Sequence, residues 1–418
     1  MKALIAPCGT YGDTVAPLAL ALKLRELGFE LRIASSENFR PLFESQGPEF
    51  NSVGLDFQKE LRANGDAQGL DAHTRFASWG RLIGRELEMQ ARFLPDLAAD
   101  ADIVIGSGLL FMGPSIAEFH GKPYIQVCHV PTAIPSPSAE YAPYVIEYRR
   151  RPRWANRALW ALSRIASSRS FIPLLNRNRK TIGLPPIADY GDYFRDRVIL
   201  AADRILAPPE SMSESGYIRT GYWQGPPSQS LPEPLLSFIE AGEKPLYIGF
   251  GSMAETANGE LGRTLATLVA ARKRLILGGE LASIASEYDS AFVYPAAHAD
   301  HQLLFPRLAL AVHHGGAGTT YTAAKAGIPQ IVVPHLMDQF YWAARVEALG
   351  IGKNCRHPSK LRTGELESAI LEVASDKGCA QRARDVAERM GNGCDALDEG
   401  TRIVAQIAEN GGKNRGRR

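Results

Sequence analysis

The chain has 418 residues, 45% of them hydrophobic and 22% charged, and a formal charge of +2. That length and balance bury a large core in about two domains, which excludes disordered, collagenous and small disulfide-stapled classes. The near-neutral charge speaks against a nucleic-acid partner, and no run of about 18 apolar residues is present to span a membrane. The five cysteines, Cys8, Cys128, Cys355, Cys379 and Cys394, include no paired ligand spacing and read as reduced, mostly buried thiols of a cytoplasmic protein.

Residues 1–10 are too short an apolar run for a secretory leader and read as a first β-strand over 3–7, ending at Gly9 and Gly12. Leu18, Leu22 and Leu24 give 17–27 a helical spacing that Gly28 stops. Further short apolar runs follow at 31–34, at 103–105 before Gly106-Ser107-Gly108, at 124–127, and at Ile205 and Leu206, which read as a late strand. Between Pro208 and Pro234 the texture changes to Pro, Gly and Ser, and 223–234 reads as a stiff interdomain linker. The alternation then restarts: 246–250 meets Gly251-Ser252, 275–277 meets Gly278-Gly279, Phe292 and Val293 precede Tyr294-Pro295, 308–312 meets His313-His314-Gly315-Gly316, and 331–333 meets Pro334. Short strands alternating with helices predict an α/β protein of two doubly wound parallel-sheet domains facing a cleft, over 1–222 and 235–395. Residues 396–418 read as a last helix packing back on the first domain, with a disordered basic tail.

From 147 to 180 the chain carries ten Arg or Lys and one acid, interleaved with Trp154, Leu159, Trp160 and Ile165. Two readings stand: a solvated basic face whose apolar side packs on its own domain, and an amphipathic helix for an anionic membrane surface or an acidic acceptor.

Ligands of open α/β sheets bind beyond the carboxyl ends of the strands, and three such ends carry chemistry. In 313–320, glycines let backbone N–H groups approach a ligand, the helix start adds unsatisfied donors and partial positive charge, Thr319 and Thr320 offer hydroxyls, and His314 offers a further donor. This is a phosphate cradle without the Gly-Lys-Ser/Thr of a Walker loop. In Gly9-Thr10-Tyr11-Gly12-Asp13, Asp13 is either a general base for an acceptor hydroxyl or a helix cap. In 334–339, Asp338 and Gln339 suit vicinal hydroxyls, or Asp338 caps a helix. No carboxylate pair has metal-ligand spacing, so no metal is expected, and the charge on a diphosphate would be met by the helix end and His314.

The texts GTYGDTVAPLALALKLRELGFE, SGLLFMGPSIAEFHGKPYIQV and HHGGAGTTYTAAKAGIPQIVVPHLMDQFYWAARVEALGIG, in this order, resemble the GT-B glycosyltransferases. The similarity is to the superfamily of glycopeptide and macrolide antibiotic, sterol and rhamnolipid glycosyltransferases. It implies inverting transfer of a hexose or deoxyhexose from a UDP- or TDP-sugar to a hydroxyl of a small acceptor, with the nucleotide sugar as co-substrate and no further cofactor. By resemblance, His314, Gly316, Ala317, Gly318, Thr319, Gly251 and Ser252 hold the diphosphate, Asp338 and Gln339 the sugar, and the loop of His298, Ala299 and His301 the nucleobase. Asp13 matches the base. Two departures stand out: no proline near Asp300, and Met337 where relatives commonly have Gly. Tyr11, Phe76, Trp79 and Phe111 are candidate acceptor residues and point to an apolar natural product, sterol or lipid; ordinary packing is the competing reading. Two rival functions are an epimerase of the same fold, which needs further acid/base residues over the cleft, and an idle nucleotide-binding homologue, against which the intact cradle counts. The expected location is cytoplasmic, with peripheral contact to the inner membrane surface through 147–180.

Overall fold

A computed structural model of the chain describes residues 1–57, 59–60, 72–134, 141–143, 148–194, 198–208, 217–225, 230–251, 259–391 and 393–415, without the side chains of 72–78, 190, 192 and 412–415. The first domain carries seven parallel strands: β1 (Lys2–Cys8), β2 (Glu30–Ser35), β3 (Glu49–Ser52), β4 (Ile103–Gly108), β5 (Tyr124–Cys128), β6 (Val198–Leu200) and β7 (Tyr217–Arg219), in the order β3-β2-β1-β4-β5-β6-β7. Its helices are α1 (Tyr11–Glu26), α2 (Arg40–Glu44), α3 (Ala72–Ala98), α4 (Gly113–Phe119), α5 (Arg153–Thr181) and α6 (Tyr190–Phe194). The second domain carries β8 (Leu246–Gly249), β9 (Leu275–Gly278), β10 (Val293–Ala296), β11 (Leu310–His313), β12 (Gln330–Val332) and β13 (Gly352–Asn354), in the order β10-β9-β8-β11-β12-β13, again all parallel. Its helices are α7 (Glu233–Glu240), α8 (Glu260–Ala270), α9 (His301–Leu304), α10 (Ala317–Lys325), α11 (Gln339–Ala348), α12 (Glu365–Ser375) and α13 (Lys377–Arg389), and α14 (Gly393–Arg415) follows. Two parallel-sheet, doubly wound domains are the fold that the alternation predicts.

The strands are near-continuous apolar runs because both sheet faces are covered. Ile103 and Ile105 of β4 join α1 residues Ala16, Leu20 and Leu24 on one face, while Val104 joins Leu87 and Leu94 of α3 and Leu175 of α5 on the other. Strand order reverses between β1 and β4 in the first sheet and between β8 and β11 in the second. At such a switch point neighbouring strand-end loops diverge and leave a crevice. Cys8 pairs with Gly108 at the first, and Gly249 with His313 at the second.

Three parts of the sequence reading are corrected. Ile205 and Leu206 form no strand but a turn closed by the Asp203 carboxylate, which accepts from the N–H of Ile205 at 2.8 Å and of Leu206 at 3.3 Å; β6 and β7 flank it instead. Both residues face the interdomain core, so their apolar character serves packing rather than a ladder. Trp223, taken as the start of the linker, is fully buried in the first domain, its Nε1 donating to Thr220 Oγ1 at 2.8 Å. Among the described residues, Leu231 is the first in chain order to join the core beneath β8–β11 of the second domain. Lys413 and Arg415, taken as tail, lie within α14, which packs Leu397, Val404 and Ala408 beside Trp223 and α1.

An apolar interface joins the domains. Val130, Leu200 and Leu206 of the first pack with Tyr321, Trp342, Val346 and Met390 of the second, and Arg345 donates to the carbonyls of Leu206 (2.8 Å) and Ile205 (3.3 Å).

Candidate active site

Thr10 is the N-cap of α1 and Asp13 its third helical residue. Asp13 Oδ2 accepts from the Thr10 N–H at 2.8 Å and from Thr10 Oγ1 at 3.1 Å, closing a reciprocal capping box. Asp13 is thus not the cap itself, and the cap engages one oxygen; Oδ1 has no hydrogen bond among the described residues. Room for the carboxylate comes from glycine. Gly108 has φ +60°, and a Cβ there would lie 2.7 Å from Asp13 Cγ and collide with the Cys8 carbonyl. Burial raises the Asp13 pKa above the ordinary carboxyl value, while the two Thr10 donors pull the other way.

At the second switch point the two histidines differ. His313 is buried and built in: its Nδ1 accepts from the Gly315 N–H at 3.0 Å and its Nε2 faces Gln330 Oε1 at 2.9 Å. His314 stands between the two diverging loops. A Cβ on Gly316 would lie 2.8 Å from its Nε2, and one on Gly251 3.2 Å from its Cε1. Its Nδ1 is buried with no partner among the described residues. Burial, then His313, His335 and His301, pushes its pKa to about 3, so it offers neutral imidazole N–H rather than charge. Gly316 is the N-cap of α10, with Ala317, Gly318 and Thr319 in its first turn, and no side chain caps the start. The free N–H donors and positive dipole end at that point suit an anion. Thr320 is buried and donates to the Gly316 carbonyl at 2.9 Å, so its hydroxyl is not a ligand donor. Ser252 lies outside the described residues.

Asp338 occupies the N-cap position of α11, yet its side chain caps nothing; Oδ2 accepts from Trp342 Nε1 at 3.1 Å. Burial first, then the like charge of Asp13, raises its pKa to about 7. Met337 before it has φ +51°, a left-handed geometry that favours glycine over a side chain such as methionine. Gln339 is buried, and its Oε1 accepts from the N–H groups of His335 (2.8 Å) and Leu336 (3.0 Å). Its oxygen shapes the loop and only its amide nitrogen remains for a ligand. In the loop 298–302, His298 is exposed and Ala299 partly buried. His301 stacks on Phe305 with centroids 4.3 Å apart and meets Tyr247 Oη at 3.1 Å, which makes it a supporting residue.

The acceptor candidates scatter. Phe111 packs edge-on against Phe171 at 4.8 Å, behind the sheet. Trp79 is exposed on α3, and the Phe76 side chain lies outside the described residues. Tyr11 is exposed at the start of α1, within electrostatic reach of Asp300 and Tyr222, and so faces the second domain.

Tyr222 is the residue that sequence reasoning missed. It leaves the first domain after β7 and stacks on Tyr321 of α10, centroids 4.1 Å apart at 23°. A Cβ on Gly318 would lie 2.8 Å from its Oη, so the phenol stands over the first turn of the cradle. The hydroxyl makes no hydrogen bond among the described residues, and burial lifts its pKa to about 12, keeping it a donor. Tyr222 falls at the last position assigned to the first domain by sequence, next to a Pro-rich segment and outside any motif, which hid it.

The family model for the C-terminal domain of erythromycin biosynthesis protein CIII-like proteins matches residues 297–407. Vancomycin aglycone glucosyltransferase of Amycolatopsis orientalis is 32% identical over 392 residues, 93% of each chain. The chain belongs to this glycosyltransferase family. A sterol 3-beta-glucosyltransferase of Komagataella phaffii is 27% identical over 414 residues, 93% of this chain and 33% of its own length. Among solved structures, glycosyltransferase VinC in complex with dTDP superposes with a TM-score of 0.68 at 20% identity, covering 98% of this chain and 100% of its own. The calicheamicin glycosyltransferase CalG4 superposes with 0.68 at 18% identity, covering 100% and 98%. The loops of Asp13 and His314 lie at the two strand-order reversals, and the loop of Asp338 follows the neighbouring strand β12. Among its described residues no helix is long and apolar enough to cross a membrane.

Proposed function

We propose that the enzyme transfers a hexose or deoxyhexose from a UDP- or TDP-sugar to a hydroxyl of a small apolar acceptor, with inversion at the anomeric carbon and without a metal ion. The observation that carries this reading is the approach of two carboxylates from different domains, Asp13 and Asp338, close enough for the charge of one to raise the pKa of the other. The diphosphate lies on the first turn of α10 with His314, Gly316, Ala317, Gly318, Thr319 and Gly251 around it, and Tyr222 donates from the first domain. Asp338 and the Gln339 amide hold sugar hydroxyls. Asp13 Oδ1 takes the acceptor proton as the acceptor oxygen attacks the anomeric carbon from the face opposite the leaving diphosphate. The C1–O bond to the diphosphate breaks, its electron pair stays on the phosphate oxygen, and configuration inverts. Charge grows on that oxygen in the transition state, where a preorganised helix end and neutral donors favour it most.

Relatives named for vancomycin aglycone and for sterols support a small-molecule acceptor. The test is Asp13→Asn assayed with a panel of UDP- and TDP-sugars and candidate acceptors. Donor binding by calorimetry should be unchanged and transfer should fall about 10²–10⁴-fold. Transfer at the unsubstituted rate removes Asp13 as base, and a product of retained anomeric configuration overturns the inverting reaction.

A further inference from the structure

Helix α5 is built inside out along its first half. Toward the domain it turns Asn156, which is fully buried, and Trp160, whose Nε1 donates to the Tyr141 carbonyl at 2.8 Å. Toward solvent it turns Trp154 (72% exposed), Leu162 (61%) and Ile165 (48%). At 100° per residue these three, with Ala158 and Ala161, fall on one stripe. From Trp154 to Ile165 that stripe runs about 16 Å along the axis. Burial in the chain's own core does not explain large apolar side chains at this exposure, and a contiguous stripe of them marks a contact surface.

The charge around the stripe narrows the partner. Exposed Arg153, Arg157 and Arg164 line one flank and Arg169 lies at its far end; Arg164 also pairs with Asp189 at 2.5 Å. Within Arg153–Thr181 there is no Asp or Glu. A tryptophan and aliphatic side chains on a ridge framed by arginines suit the headgroup boundary of an anionic bilayer. The apolar ridge enters the acyl boundary, the guanidinium groups stay with lipid phosphates, and the indole prefers the interface.

We infer that the exposed face of α5 seats the protein on anionic lipid surfaces, with Trp154, Leu162 and Ile165 inserted and Arg153, Arg157 and Arg169 held by lipid phosphates. The inference stands apart from the sugar-transfer reading and is tested without it. The full-length protein is floated with vesicles of phosphatidylcholine alone and of phosphatidylcholine with one third phosphatidylglycerol. Flotation is expected with the anionic vesicles only, falling as salt rises. Trp154→Ser combined with Leu162→Gln should cut the floated fraction about tenfold, since both apolar anchors are lost. Both sites are exposed, so the melting temperature should hold, which separates lost contact from lost fold. Arg157→Gln with Arg169→Gln should cut it as well. No flotation with anionic vesicles, equal flotation with neutral ones, or an unchanged floated fraction in both double variants overturns the inference. So does self-association in the absence of lipid that the apolar double variant abolishes, because the stripe would then be covered by a second copy.

Discussion

Asp13 and Asp338 belong to different domains, and the charge of Asp13 makes Asp338 harder to ionise. Asp338 titrates at about 7, from burial first and the Asp13 charge second, and Asp13 is itself raised by burial. As base, Asp13 must be ionised, so kcat/KM should fall as pH drops through a value above the ordinary carboxyl range. Asp338 is still protonated where Asp13 ionises, so Asp338→Asn should leave this acid limb in place, read from the kcat/KM profile of the residual activity.

The same residue has a stability signature. A carboxyl whose pKa is raised by folding favours the fold in its protonated form; that contribution is complete below about pH 4 and is lost as pH rises through 7. Ionised Asp338 therefore costs stability at pH 8. Asp338→Asn should raise the melting temperature at pH 8 and leave it nearly unchanged at pH 4, an outcome differential scanning calorimetry reads directly.

His314 is neutral across the working range, so its contribution is a hydrogen bond rather than a charge. His314→Ala should lower kcat/KM by about 30–1,000-fold, equivalent to roughly 2–4 kcal/mol of transition-state stabilisation. Product formation at the original rate would move the diphosphate elsewhere.

Tyr222→Phe keeps the stack on Tyr321 and deletes only the hydroxyl over Gly318. A hydrogen bond to a charged phosphate contributes about 1.5–3 kcal/mol. Donor affinity by calorimetry should fall about tenfold or more, with the melting temperature little changed. Tyr222→Ala should lower both, because it also opens the interdomain packing.

Saturating EDTA should leave the transfer rate unchanged, since the helix start, His314 and Tyr222 meet the leaving-group charge. Loss of rate restored by a divalent cation would replace that account.

The alternation of short apolar runs with helical spacing made both sheets legible, because strands buried on both faces must be apolar throughout. The strand-end loops were legible for the same reason: glycine and polar side chains abruptly follow buried strands. What stayed hidden was decided by tertiary contact. Ile205 and Leu206 look like a strand but face the other domain, and β6 and β7, three residues each, are too short for a periodicity. Gln339 looks like a sugar ligand beside Asp338, yet its oxygen is spent on the two N–H groups that precede it. The asymmetry of His313 and His314 depends on which way each ring points, and for His313 that is set by Gln330 on the next strand together with the N–H of Gly315.

Trp223 lies against α14, where Gly400 leaves no Cβ in the way of the indole, and Val404 and Ala408 complete the layer over α1. The first domain is thus sealed by side chains of α14, which follow the whole second domain along the chain. On the ribosome the first sheet can pair its strands early, but one apolar wall stays wet until about residue 408 has left the exit tunnel. Emergence of α14, rather than of the first half, sets when that domain reaches its full resistance to proteases.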